Sequence, residues 1–423
     1  MPLLAYIIVS QARGQQLVAP SPGMYFAVAY FVFFGSGLLS YWLDGRHTQA
    51  FILAEVKNQD VLSVLGSSSV IVTAMVIAER LAASAVKSQD RSGQEYPAAR
   101  VLAQCLVVIC LGSAVDVVST LGGFHHAAAV FASHNRNAAS LLAGSIGSSL
   151  WSIFSLPASS ALTFLIVAHG RKRSGLTMMT LIAELALIQG ISVAVFGSRL
   201  LLVSTIASAG FQYVWIKRRA PRVVVYAIAA IALGALSALI LSARAASQNQ
   251  LERGNIFDWF GYSIFDVSLA LHSISARVGP AFASPSRAAA ALSTLIPHAG
   301  SGGINIQSNR LDVISAQAIG NAAQAASSGL PPSLPTSLEL AFGLGGAIIC
   351  AIVVGLISGR LHSGLLSSES GLAGILIGFW GSFVFNGFKS GDLPLDGGSA
   401  LRTCFYLVLL YWMCKLIVRG KRP

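Results

Sequence analysis

Residues 101–122 read VLAQCLVVICLGSAVDVVSTLG, a run with one charged side chain, Asp116, in its whole length. An α-helix rises about 1.5 Å per residue, so about 20 apolar residues cross the roughly 30 Å of hydrocarbon in a bilayer. Stretches of the same kind recur along the chain. They give about ten predicted spans, near 22–43, 62–82, 101–122, 141–168, 175–196, 200–216, 223–244, 336–359, 366–387 and 399–418. The short apolar stretch 3–9 makes an eleventh, clipped or re-entrant piece if it is counted. The expected fold class is therefore all-α, a polytopic helical membrane protein.

The composition agrees. The 423 residues are 54% hydrophobic and 10% charged, with a mean hydropathy of +0.70. Soluble domains carry roughly a quarter charged residues, so an ordinary soluble enzyme and a disordered chain are both excluded. The net charge of +12 would otherwise suggest nucleic acid as a partner. Here the 28 Lys and Arg fall as short clusters between apolar runs, as the positive-inside rule expects of cytoplasmic loops, and no nucleic-acid role is read from them. The five cysteines (105, 110, 350, 404, 414) all lie inside apolar runs with no CxxC pair, as small buried hydrophobes do. The N-terminus lacks the basic segment and small-residue cleavage site of a signal peptide.

Orientation follows from the basic clusters. Arg171-Lys172-Arg173, the run from Lys217 to Arg222 and the tail from Lys415 to Arg422 are expected on the cytoplasmic side, with the 83–100 loop beside them. That leaves 44–61, 123–140, the turn 197–199, 245–335 and 388–398 outside. The chain divides into an N-terminal bundle (1–244), an extracytoplasmic segment (245–335) and C-terminal helices (336–423). The middle segment lacks lysine and carries four Arg (253, 277, 287, 310) against Glu252, Asp258, Asp266 and Asp312. An amphipathic helix is predicted over 256–278, on Phe257, Phe260, Ile264 and Leu271, with short helices around 286–296 and 311–326. Loops beyond about 15 residues are uncommon unless functional or disordered, and this one is read as a folded cap.

Few ionisable groups fall within the spans. Asp116 and Glu184 do, and such residues face a bundle interior or an aqueous cavity. The turn Phe196-Gly197-Ser198-Arg199 sets an arginine at the outer mouth of the bundle. Its planar fork of donors suits phosphate, and snorkelling to the interface is the plainer alternative. Other external candidates are Arg46, His47, His125, His126, His134 and Arg136, then Arg253, Asp266, His272, Arg277, His298 and Arg310. Adjacent histidines rarely share an ion and no carboxylate stands close to them, so no metal is expected. Walker A, GxSxG and HExxH patterns are absent, and no internal repeat of the transporter kind is visible.

Three features carry a resemblance. They are Gly197-Ser198-Arg199 before Leu200-Leu201-Leu202, the arginine-bearing external segment, and Gly329-Leu330-Pro331-Pro332-Ser333 followed by Glu339-Leu340-Ala341-Phe342-Gly343 and Gly345-Gly346. Together they resemble the Wzy-type polymerases of O-antigen and exopolysaccharide repeat units over about 190–360. Ala341 stands where those proteins usually have an aromatic residue. The related O-antigen ligases share the architecture and are not separated from the polymerases by these motifs.

The resemblance implies a glycosyltransferase of the bacterial cytoplasmic (inner) membrane, active on its periplasmic face. It would join undecaprenyl-pyrophosphate-linked oligosaccharides within the membrane lipid, with a chain-length regulator as a further partner and without a cofactor. A leaving pyrophosphate needs fixed positive charge, and the attacking hydroxyl a general base. The first role falls to Arg199, with Arg253, Arg277, Arg310 and Arg136 binding substrate. The second falls to His272, then Asp266 or Glu339. Glu339 could equally be a helix-start carboxylate that complements the dipole. A flippase or polysaccharide exporter is the rival class.

Overall fold

The computed structural model describes residues 1–13, 21–44, 58–83, 96–127, 146–169, 175–194, 200–217, 262–294, 307–320 and 331–420. They are helical throughout, with no strand among the described residues. In chain order the helices are α1 (Pro2–Ala12), α2 (Pro22–Tyr30), a π-helical turn (Phe31–Gly35) and α3 (Ser36–Asp44). There follow α4 (Asn58–Ala82), α5 (Pro97–Thr120), α6 (Ile146–His169), α7 (Gly175–Ala194) and α8 (Leu200–Lys217). The segment 245–335 holds α9 (Tyr262–Ser273), α10 (Ser275–Phe282), α11 (Pro285–Ser293), a 3₁₀ turn (Gln307–Asn309) and α12 (Leu311–Ala318). The chain closes with α13 (Leu334–Ser367), α14 (Gly371–Ser390) and α15 (Leu393–Gly420).

Eight helical stretches among the described residues are long and apolar enough to cross a membrane. The protein is thus an all-α, multi-pass membrane protein. The eight correspond to predicted spans. Of the other two, the one expected at 200–216 forms helix α8 but is not among the eight, and the one at 223–244 lies outside the described residues. Large apolar side chains on the bundle's outer surface, among them Val108, Val115, Ile349, Phe405 and Trp412, are exposed in the chain alone. A water-facing surface does not carry so continuous an apolar coat. Local chemistry sets many ends: proline opens α1, α2 and α5, Ser21 accepts the Met24 N–H, and Ser370 accepts the Ala373 N–H. Gly391 at φ +69° closes α14 in the left-handed region.

Small residues bring the long helices close. A Cβ on Gly355 or Gly359 of α13 would sit 2.3 or 2.4 Å from the Met75 or Glu79 carbonyl oxygen of α4. On α14, Gly374 and Gly381 receive the rings of Phe164 and Phe211 in the same way. Two hydrophobic cores result. One joins α1, α2, α4, α9, α10, α12 and α13, and the other α5 to α8 with α15; α14 contributes to both.

The described part of the segment 245–335 departs from its predicted form in three respects. The expected single amphipathic helix over 256–278 is, among the described residues, two helices that break at Ile274. Nor has α9 a polar face, since residues 264–271 are all buried. Its apolar side chains point in every direction, and Ser268 satisfies its hydroxyl internally on the Ile264 and Pro332 carbonyls. The helix is therefore wedged into the bundle, with Phe265 against Gly37 of α3 and edge-on to Phe34. The short helices expected near 286–296 and 311–326 are α11 and α12, each ending earlier than predicted.

Candidate functional site

Contacts between helix ends define two faces. On one, the starts of α13 and α15, the end of α14 and helices α9 to α12 gather; this is the cap face. On the other lie the end of α4, the start of α2, Lys217 beside the end of α13, and the end of α15 with Lys415 and Arg419. Trp215 donating to the Leu365 carbonyl (2.9 Å) joins α8 to α13 there.

At the cap face the chain enters α13 through Pro331-Pro332-Ser333. Ser333 is buried at φ 65° and ψ 156°, the one non-glycine residue with positive φ among the described residues. Such a conformation costs about 1–3 kcal/mol and persists where the surroundings enforce it. They do here: the Ser333 hydroxyl donates to Thr336 (3.0 Å) and lies 3.1 Å from that of Ser268, while Gly391 packs on the Ser333 carbonyl so closely that a Cβ would come within 2.4 Å. Five residues into α13, Glu339 accepts the hydroxyl hydrogen of Ser67 on α4 at 2.7 Å. Four residues further, Gly343 (φ 66°, ψ 172°) breaks the helix. Glu339 therefore sits on a short half-helix, held between α4 and the external helices; Gly279 of α10 lies against the Leu340 carbonyl.

Above this lies a lock of charges. Arg287 of α11 donates to Asp392 at 2.5 Å and to the carbonyls of Phe282 and Asn309, and Asp392 also accepts the Leu311 N–H at 2.9 Å. Burial pushes the Asp392 carboxyl above its ordinary range, although Arg287 and the N–H bonds pull it back. Arg310 pairs with Asp312 and keeps about half of its side chain exposed (47%), and Arg277 is exposed.

Of the predicted site residues, Arg199, Arg253 and Arg136 lie outside the described residues, as do Arg46, His47, His134 and His298. Asp266 and His272 lie on α9, the first buried and the second half-buried. Their helix shares the core with the half-helix that carries Glu339. The side chains do not form one hydrogen-bonded constellation, and Glu339 makes its bond to Ser67 instead. Asp116 accepts the Gly147 N–H (2.8 Å) at the start of α6, which accounts for it as a carboxylate complementing a helix N-terminus. Glu184 is held through both oxygens by the Gln104 amide (3.2 and 3.0 Å). No cluster of three or more His, Cys, Asp or Glu placed to hold a metal ion occurs among the described residues.

Sequence reasoning passed over three features. Glu79 and Arg80, inside the predicted span 62–82, form a buried two-pronged ion pair (2.6 and 2.8 Å), with Arg80 5.0 Å over the Tyr6 ring. A Cβ on Gly23 would lie 2.4 Å from the Glu79 carboxylate, so that carboxylate also meets the start of α2. Arg402, inside the predicted span 399–418, was passed over as well. Both were legible as charges within apolar runs. The third is a polar seam through the second core. The Gln212 amide donates to Ser160, Gln189 to Ser159 and Thr205, and Asn386 to Ser204, while the carbonyl oxygen of each amide is buried without a partner. The isolated serines and amides gave no periodic signal.

No family model, no curated protein and no solved structure matches this chain.

Proposed function

We propose that this protein is a membrane glycosyltransferase that polymerises oligosaccharide repeat units carried on undecaprenyl pyrophosphate, working at the cap face. The observation that supports this most is the meeting, at one face, of exposed arginines with a carboxylate set inside the bundle. Arg277 is exposed at the surface, and Glu339 stands on the half-helix below. Half-exposed Arg310 has two of its nitrogens on Asp312 and, among the described residues, one Nη left over. Arginines meet the first demand of the reaction, fixed charge for a departing pyrophosphate. A carboxylate held by one neutral hydroxyl meets the second, a base for the incoming sugar hydroxyl. Arg287 has no such role, since its donors are committed to Asp392 and two carbonyls.

Orientation belongs to the same proposal. Arg13, Arg100, Lys217, Lys415 and Arg419 end helices on the face opposite the cap, which the positive-inside rule makes cytoplasmic. The cap face is then extracytoplasmic, where lipid-linked repeat units are joined. Ligation of a finished glycan to an acceptor lipid would use the same groups.

A transporter is the second reading. The helix broken at Gly343 and the seam of amides with unpartnered oxygens favour it, because broken helices and buried polar groups mark many transport pathways. The test is complementation of a strain lacking the protein, with glycan length read on gels and each variant checked for expression. Arg277→Ala with Arg310→Ala, and separately Glu339→Gln, are expected to leave single repeat units on the carrier. Wild-type chain lengths in both would remove these residues from the mechanism.

A further inference from the structure

Arg402 is an anomaly in this bundle. It lies nine residues into α15, the helix whose stretch Leu393–Arg419 is long and apolar enough to cross a membrane, and so about 14 Å along it. The two buried arginines described above each have a carboxylate, Arg80 with Glu79 and Arg287 with Asp392, whereas Arg402 is half-buried. Among the described residues Arg402 has no hydrogen-bond or ion-pair partner, and its Nε is buried without an acceptor. A permanent charge in that position is costly unless an anion accompanies it.

The surroundings say what kind of anion. Side chains on a helix lean toward its N-terminus, so Arg402 leans toward the cap face, over Ser399 and Gly398 one turn earlier. One turn further into the membrane, Tyr406 stands under the guanidinium, 6.0 Å ring to ring from Phe154. The neighbours Leu401 and Phe405 are exposed on the lipid-facing surface, 65% and 67%. The guanidinium is thus approachable from the side, along the membrane, by a molecule with its own apolar chain. A planar fork of N–H donors with no partner matches two oxygens of a phosphate.

We propose that Arg402 is a lateral docking site for the phosphate of a membrane lipid in the leaflet on the cap side. That the lipid is a polyprenyl pyrophosphate rather than a phospholipid rests on the polymerase reading; the phosphate site does not. Retention by the purified full chain in detergent, read by native mass spectrometry, tests it with three probes: undecaprenyl pyrophosphate, phosphatidylglycerol, and an uncharged diacylglycerol. Wild type is expected to retain undecaprenyl pyrophosphate at least tenfold better than Arg402→Gln, with Arg402→Lys between them. Equal, Arg402-dependent retention of phosphatidylglycerol would uphold the phosphate site while sinking the substrate assignment. Retention of both phosphate lipids unchanged in Arg402→Gln, or diacylglycerol held as well as they are, would overturn the proposal.

Thermal unfolding separates a binding role from a structural one. In lipid-free detergent Arg402→Leu is expected to be at least as stable as wild type, because an unpaired cation has been removed. Added phosphate lipid should then raise Tm in wild type only. A lower Tm for lipid-free Arg402→Leu would make Arg402 a structural residue and end the proposal.

Discussion

Ser333 holds the entrance to α13 in a backbone conformation that L-residues avoid, and its side chain is what makes that tolerable. The hydroxyl bonds Thr336 and approaches Ser268, while Gly391 leaves room for its carbonyl. Replacing Ser333 by Ala removes the hydroxyl contacts and keeps the strain, with an expected loss of about 1–3 kcal/mol. Ser333→Gly loses the same contacts but relieves the backbone, so it should unfold at a higher temperature than Ser333→Ala. The reverse order in thermal melts of the purified protein would show that the strain is not real. The residues that matter here were partly legible beforehand. Glu339 and Ser333 stood out only through the resemblance carried by the run from Gly329 to Gly346. Glu79, Arg80 and Arg402 were legible as charges but were passed over, because a hydropathy window averages a charge into its neighbours, and Asp392 lies in the predicted 388–398 loop. The pairing of Arg287 with Asp392 spans 105 positions and has no local signature.

At the scale of elements, length and apolarity read straight from the sequence, since the bilayer imposes one thickness on every crossing. What did not read through was how helices are interrupted. The break at Gly343 lies among three glycines (343, 345 and 346) within four residues of Phe342, any of which could bend a helix. The π turn at Phe31–Gly35 is set by tertiary packing, with Tyr30 donating to the Leu65 carbonyl and stacked on Phe34 at 5.1 Å. Likewise α9 was misjudged because four well-spaced apolar residues suggested a face, when its whole circumference is buried. Close helix approach makes a sharp prediction. A Cβ on Gly378 of α14 would fall within 2.2–2.6 Å of Ser208, Gln212 and Ser160, whereas Gly364 has nothing within 4 Å. Gly378→Ala should therefore destabilise the protein by about 1–3 kcal/mol through overpacking. Gly364→Ala, in a helix interior, should be neutral or slightly stabilising. Equal Tm values for the two variants would mean that α14 does not pack on α6 and α8 as described.

The whole molecule is an asymmetric object. Arg13, Arg100, Lys217, Lys415 and Arg419 collect at one face, and the buried ion pair of Arg287 with Asp392, the strained turn and helices α9 to α12 collect at the other. The asymmetry fits a catalyst that works on one side of a membrane better than a carrier that must open to both. The broken α13 and the polar seam are the features that a carrier would explain instead. The two readings part on one measurement. The purified protein is reconstituted alone in liposomes with its host's undecaprenyl-pyrophosphate-linked repeat unit, and glycan size is read on a gel. A ladder at multiples of the repeat unit is the expected result. Repeat units of unchanged size, recovered on the far side of the bilayer or left where they began, would contradict the account.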